Sequence, residues 1–238
     1  MRVTVAILAD SHGYPLPTTL LRMLREVQPA AIIHAGDVAR EKGGESATDF
    51  LGKLRSIAST TAVAGNTDRK AKNKERLRDF ETVHVGNVRL VVHHGDTIVR
   101  GQALQHPQLR PADGWRRGRD VIVSGHSHAA HWFRDDASGV HFLNPGSTMQ
   151  RRGFDVKRLR ETPYQAALLR WPATAADEPP DFEVSYLRWL ATDMRSGVDE
   201  VTEVPFEEEG VEGKGRPPQP ESSYAGPRSG KRKRELDS

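Results

Sequence analysis

The chain has 238 residues and no cysteine, so disulfides, thiolate nucleophiles and zinc–thiolate clusters are excluded. Its 35 basic and 32 acidic residues leave a formal charge of +3, a mixed surface rather than a nucleic-acid footprint. Any metal must therefore be held by histidine, carboxylate or amide oxygen. No apolar stretch approaches the ~20 residues of a membrane span. The short N-terminal apolar run reads as a first strand rather than a signal peptide, and we expect a cytoplasmic protein.

Strands and helices alternate in the first half of the chain, which predicts a parallel sheet with right-handed crossovers. Three apolar runs read as buried strands because they are rich in β-branched or small residues and free of charge: Val3–Ala9, Ala30–Ala35 and Thr60–Ala64. Two amphipathic segments between them carry apolar residues at helical spacing: Pro17–Val27 and Ser46–Ala58.

The rhythm changes after a charged helix or loop at Lys70–Arg78, and the second half favours antiparallel strands. The expected strands include two hairpins and a late pair: Phe80–Val85, Val88–His93, Val121–Val123, His131–Arg134, Val140–Leu143, Tyr164–Trp171 and Phe182–Trp189. Thr97–Arg119 is irregular and basic. We expect two sheets packed face to face with helices outside.

Residues 205–238 are rich in Gly, Pro, Ser and charge and end near a Lys231–Arg234 basic run. Their apolar content is too low to offset the entropy of ordering, so we expect a disordered charged tail. The predicted domain is residues 1–204.

Five expected strands end in side chains that can bind metal: Asp10 and His12, Asp37, Asn66, His94, and His126 and His128. One such end is explained by a turn, but five in one chain favour a site at the carboxyl edge of the sheets. If the first strand continues one residue further, Asp10 and His12 point to the same side. Seven ligands exceed the needs of one ion. Two ions that share a bridging carboxylate, for which Asp37 is best placed, would use them all, and such pairs hydrolyse phosphate esters.

These motifs, in their order and spacing, resemble the signature of the calcineurin-like metallophosphoesterases. Asn144-Pro-Gly-Ser147 and Arg152-Gly153 add a resemblance to the small prokaryotic phosphodiesterases of that superfamily. The resemblance implies an α/β fold, a four-layer α/β/β/α sandwich of two mixed sheets flanked by helices. It also implies two divalent metal ions, manganese first, with iron, zinc or nickel as alternatives. One would be held by Asp10, His12, Asp37 and His128, and the other by Asp37, Asn66, His94 and His126.

The sequence departs from the family at Thr67, where many members carry a histidine that protonates the leaving group. Threonine is a poor acid, so esters with good leaving groups should be favoured. We expect Asp37 and Asn66 to be catalytic. Asn66, Gly146 and Arg152 are the expected substrate contacts. His93 should face away from the site, and His34 is expected to serve packing.

The leading hypothesis is a dinuclear phosphodiesterase, with possible phosphomonoesterase activity, that uses a metal-bridging hydroxide for in-line attack on a small phosphate ester. A non-catalytic metal-binding scaffold, as in a retromer subunit of similar sequence, is the alternative outside enzymes. A nuclease could use Arg110–Arg119 with Trp115 as a basic strip for a nucleic-acid partner. A nucleotide-sugar pyrophosphohydrolase shares the His94-Gly-Asp-Thr97 sequence. No membrane partner is expected, and the sequence does not indicate an oligomeric state.

Overall fold

The computed structural model describes most of the chain, with gaps. The described ranges are 1–40, 44–71, 75–98, 100–149, 163–173, 178–189 and 201–206. The substrate contact expected at Arg152 and the tail from residue 207 onward lie outside them. Within these ranges, no helix has the length and apolar character to cross a bilayer.

The described residues form eleven strands, three α-helices and one 3₁₀ helix. The strands are β1 (Arg2–Leu8), β2 (Ala31–His34), β3 (Thr60–Ala62), β4 (Phe80–Val85), β5 (Val88–His93), β6 (Asp120–Val123), β7 (His131–Arg134), β8 (His141–Asn144), β9 (Tyr164–Pro172), β10 (Glu183–Trp189) and β11 (Thr202–Pro205). The helices are α1 (Thr18–Val27), α2 (Ala47–Arg55) and α3 (Asn66–Lys70), with the 3₁₀ helix at Arg100–Gln105.

The first sheet has the strand order β11-β10-β9-β1-β2-β3. β1, β2 and β3 are parallel, with Val5 opposite Ala31 and Ile7 opposite Ile33. The remaining pairs are antiparallel. Because β1 to β3 run the same way, the loops that follow them leave from one edge of this sheet.

The second sheet has the order β4-β5-β6-β8-β7. Its two outer pairs are antiparallel hairpin pairs, but β5, β6 and β8 at its centre are parallel. The expectation of a mostly antiparallel second half was therefore wrong for the centre of this sheet. Since β5 and β6 are parallel, the loops after them also leave from one edge.

Three apolar clusters separate the layers. The first lies between the first sheet and helices α1 and α2, through residues such as Leu24 and Phe50. The second joins the two sheets, with Trp171 among its fully buried side chains. The third covers the outer face of the second sheet, where Ala103 and Leu109 pack. The α/β sandwich of two mixed sheets is confirmed, and its fourth layer contains the 3₁₀ helix and loop in place of an α-helix.

The compact unit spans Met1–Phe206. It includes β11, which pairs with β10 and was absent from the expected elements. The unit thus extends two residues past the predicted boundary at 204. Phe206 packs edge-on against Tyr186, which anchors the end of this strand.

Candidate metal centre

The sequence-predicted ligands meet where the two sheet edges face each other. Among the residues that the structure describes, two groups have ligand atoms within 4.8 Å of one another. The first is Asp10, His12 and His128, and the second is Asp10, Asp37 and His94. Residues from the loops after β1, β2, β5 and β6 are therefore brought together.

Several of these residues adopt a left-handed backbone conformation that non-glycine residues rarely take. Six described non-glycine residues have positive φ, and five of them are predicted ligands: Asp10 (55°), His12 (49°), Asp37 (54°), His126 (62°) and His128 (56°). The condition under which Asp10 and His12 would share one side of an extended strand is not met, because β1 ends at Leu8 and both residues have positive φ. Such conformations cost free energy and concentrate at functional sites.

Both aspartates lie among the histidines. Asp10 Oδ1 is 3.2 Å from His128 Nε2 and 3.9 Å from His94 Nε2. Asp37 Oδ2 is 3.4 Å from His94 Nε2 and 3.8 Å from His12 Nε2. Asp37 thus lies between two histidines, as a bridging ligand would, and Asp10 shares this placement.

The remaining ligands divide into two sides. His12 and His128 are neighbours, with ring centroids 5.5 Å apart. On the other side the rings of His94 and His126 are 5.2 Å apart, and Asn66 Oδ1 lies 3.3 Å from His94 Nε2. The histidines thus lie on two sides, whereas Asp10, which the resemblance assigns to the side of His12 and His128 alone, is also 3.9 Å from His94 on the other side.

The charges at the centre call for a cation. Asp10 and Asp37 are 0% and 2% exposed, and among the described residues the cationic side chains within 4 Å of them are all histidines. His12 Nε2 is also buried and has no hydrogen-bond partner among the described residues. Buried carboxylates without lysine or arginine partners are costly unless another positive charge compensates them. The donor set, of imidazole nitrogens and oxygens, fits a divalent transition metal.

The pKa values reflect this crowding of charge. Burial opposes ionisation of Asp37, but its hydrogen bond with His94 and that histidine's charge hold the pKa of Asp37 below its ordinary value. Burial likewise lowers the pKa of His94, whereas the hydrogen bond to Asp37 and the charges of Asp10 and Asp37 raise it to about 9. In metal-free protein, a proton on His94 therefore provides positive charge beside the two carboxylates. A bound cation would replace that proton and provide the positive charge instead.

Two glycines allow the ligands to approach the backbone. A Cβ at Gly65 would lie 2.1 Å from Asp37 Oδ1, and one at Gly36 would lie 2.7 Å from His94 Nδ1. Glycine is the residue that leaves these contacts open.

The third-motif loop is held by its own side chains. Asp68 accepts hydrogen bonds from the backbone N–H groups of Gly65, Ala39 and Val38. Thr67 donates its backbone N–H to Asp37 Oδ1 and its hydroxyl to the Ala39 carbonyl. The Thr67 hydroxyl is therefore engaged in the loop.

The Asn144–Ser147 turn lies behind the ligands. Asn144 donates to the Gly125 carbonyl, and the Ser147 hydroxyl donates to the Asp10 carbonyl. The backbone N–H of Gly146 donates to Asn144 Oδ1, and a Cβ at this position would contact Gln165 and Ala130. The substrate contact expected at Gly146 stays a prediction.

His93 is 3% exposed and lies opposite Phe80, which packs against the third apolar cluster. Burial lowers the pKa of His93 from 6.5 to about 4. Between those pH values, His93 is protonated in the unfolded protein and neutral in the native protein. Stability should therefore fall as pH drops through this window, by up to about 1.4 kcal/mol per pH unit from this residue. In metal-free protein, His93→Gln should flatten the pH dependence of the urea-unfolding free energy. His84→Gln, on the exposed side of β4, is the control. An unchanged slope in His93→Gln would contradict this assignment.

Comparison with known proteins identifies the family of this chain. The model of the calcineurin-like phosphoesterase superfamily domain matches residues 3–159. A probable metallophosphoesterase of Methanocaldococcus jannaschii is 30% identical over 148 residues, which cover 60% of this chain and 67% of that protein. A probable metallophosphoesterase of Methanothermobacter thermautotrophicus is 29% identical over 150 residues, 60% of this chain and 76% of that protein.

Solved structures show the same fold. Wild-type Vps29 of Entamoeba histolytica, complexed with Zn²⁺, has a TM-score of 0.56 at 19% identity, over 86% of this chain and all of that one. Vps29 of Chaetomium thermophilum also has a TM-score of 0.56, at 16% identity, over 85% of this chain and 96% of that one. With a family model that matches well over half of its length, the chain belongs to the calcineurin-like phosphoesterase superfamily.

Proposed function

We propose that this protein hydrolyses phosphodiesters with two divalent metal ions, manganese first. The observation that carries the proposal is the division of the ligands into two sides. Asp10 and Asp37 both have carboxylate oxygens near His94, and each is also near a histidine of the other side. That arrangement has room for two ligand sets and shared carboxylates.

The residues of the chain have distinct tasks in this reaction. When bound, divalent ions act as Lewis acids that activate water near neutral pH and neutralise charge on phosphoryl oxygens. Asp37 offers one oxygen toward the histidines, while its other oxygen is fixed by the Thr67 N–H. Asn66, beside His94, has an oxygen to ligate and an amide to donate to a phosphoryl oxygen.

The leaving group receives little help from the third motif. The Thr67 hydroxyl already donates to the Ala39 carbonyl, and threonine is a poor acid at neutral pH. Esters whose leaving group is stable as an anion, such as p-nitrophenolate, should be turned over fastest.

The nuclease alternative has less support from the basic strip. Trp115 donates its indole N–H to the Leu104 carbonyl and packs against the third apolar cluster. Arg116 pairs with Asp120, and Arg117 donates to the carbonyls of Asp136 and Ala137. These side chains have partners within the fold, which argues against a strip that is free to bind nucleic acid.

A substrate panel tests the proposal. Metal-free protein supplied with Mn²⁺, Fe²⁺, Zn²⁺ or Ni²⁺ should release p-nitrophenol from bis-p-nitrophenyl phosphate faster than from p-nitrophenyl phosphate, and a chelator should abolish the release. Cyclic nucleotides, a nucleotide sugar and single-stranded DNA complete the panel. Absence of turnover with every metal and substrate would overturn the enzyme proposal in favour of a metal-binding scaffold.

A further inference from the structure

Ser11 lies between the predicted ligands Asp10 and His12, yet its own side chain is fully buried. Its hydroxyl is 2.7 Å from His34 Nε2 and 2.8 Å from Thr148 Oγ1. Thr148 in turn donates to the carbonyl of Ala9, at 3.1 Å. The contacts connect residues from three distant parts of the chain behind the first metal-binding loop.

The direction of these hydrogen bonds follows from the number of protons available. Each hydroxyl has one proton, and that of Thr148 is used on the Ala9 carbonyl. The Ser11 proton must then go to Thr148 Oγ1, which leaves the Ser11 oxygen to accept from His34 Nε2–H. Every donor is used once, from His34 through Ser11 and Thr148 to Ala9. Burial lowers the pKa of His34 to about 3, which agrees with a neutral imidazole in this role.

The loop that these bonds hold is strained. Asp10 and His12, on either side of Ser11, both have positive φ. The backbone N–H of Thr148 also donates to the Ala9 carbonyl, and Ser147 donates to the Asp10 carbonyl. A conformation of this kind persists only where its surroundings fix it.

We propose that Ser11, His34 and Thr148 are positioning residues, whose hydrogen-bond chain holds Asp10 and His12 in the conformation that binds metal. None of the three side chains contacts substrate in this account. The inference rests on the metal centre of the proposed function but is independent of which ester, if any, is hydrolysed.

Calorimetric titration of metal-free protein with Mn²⁺, in the absence of substrate, tests the inference. Ser11→Ala and Thr148→Val each remove one hydroxyl with little change of shape. They should weaken at least one Mn²⁺ site by about 10- to 100-fold, as expected when a side chain that orients a ligand is lost. Thr148→Ser keeps the hydroxyl and should bind Mn²⁺ as the wild type does.

Ser185→Ala is the matched control. Ser185 is 2% exposed and bonds to Arg170 and Glu203 in the first sheet, away from the ligands. It should lower the melting temperature but leave Mn²⁺ affinity unchanged. If Ser11→Ala and Thr148→Val behave like Ser185→Ala, the hydrogen bonds among Ser11, His34 and Thr148 only stabilise the fold and the inference is wrong. Should Ser11→Ala not fold, the comparison of Thr148→Val with Thr148→Ser decides.

Turnover separates this inference from the proposed function. In a variant that is saturated with Mn²⁺, kcat should return towards the wild-type value, while the Mn²⁺ concentration for half-maximal activity rises. Hydroxyl-dependent Mn²⁺ binding without any ester hydrolysis would support the inference and overturn the proposed function. Ester hydrolysis together with Mn²⁺ affinities that do not change when the hydroxyls are removed would support the proposed function and overturn the inference.

Discussion

Asp37→Asn should reduce metal-dependent hydrolysis of bis-p-nitrophenyl phosphate by about 10³-fold, since about 4 kcal/mol of transition-state stabilisation depends on metal held at the right place. The amide keeps the shape of the side chain and can still accept the Thr67 N–H. It loses the negative charge that lies between His94 and His12. The loss should appear mainly in kcat and in metal content.

The control for this change is Asp136→Asn, which removes a carboxylate from an exposed turn between β7 and β8. Its kcat and metal content should equal those of the wild type. Turnover of Asp37→Asn within tenfold of wild type, at full metal content, would show that Asp37 is not central to the reaction.

Gly65→Ala should abolish activity and destabilise the fold by about 3 kcal/mol, the upper part of the range for overpacking. The added methyl group would lie 2.1 Å from Asp37 Oδ1 and 2.3 Å from the Asp37 nitrogen. The φ of Gly65 is −99°, so the backbone conformation itself tolerates alanine and the effect comes from contact alone. Because one contact is to backbone, the loops after β2 and β3 must separate.

Gly52→Ala is the opposite case within the same chain. Gly52 lies inside α2, and a Cβ there meets nothing within 4 Å. Alanine should stabilise the protein by up to about 1 kcal/mol through its helix propensity, with activity unchanged. Urea unfolding and turnover of both variants provide the measurements. If Gly65→Ala is as stable and as active as wild type, the close approach of the two loops is not real.

The convergence of the ligands that follow the first sheet was predictable because it follows from topology. Apolar runs without charge identified β1 and β2, and their expected parallel pairing carries the following loops to a common edge. β5, which contains Arg89, and β6 were expected as strands, but their parallel pairing was not. The hairpins Phe80–Val85 with Val88–His93 could be placed to the residue, since a Gly-Asn pair separates two strong strand patterns.

Three features could not be derived in this way. The left-handed backbone at Asp10 and His12 depends on partners far along the chain, and the residue types alone favour several turn geometries. The parallel centre of the second sheet is set by which strands pair across long connections, which local patterns do not record. The strand β11 is short and follows residues with no clear pattern, so its pairing with β10 determines it.

The hydrogen-bond chain behind the site was missed for the same reason. His34 was assigned to packing, and it does contact Phe50 edge-on. Its bond to Ser11 spans 23 positions and that of Ser11 to Thr148 spans 137. The only signal in the sequence was the polar residue His34 within the otherwise apolar strand β2. It indicates that His34 has a buried polar partner but does not identify that partner.

The metal stoichiometry of His12→Ala tests the central claim most directly. Wild-type protein loaded with Mn²⁺ and freed of excess should contain two ions per chain by elemental analysis. His12→Ala should retain one, because Asn66, His94 and His126 lie on the other side of the centre. Two ions bound with equal affinity in wild type and His12→Ala would contradict the assignment of the ligands.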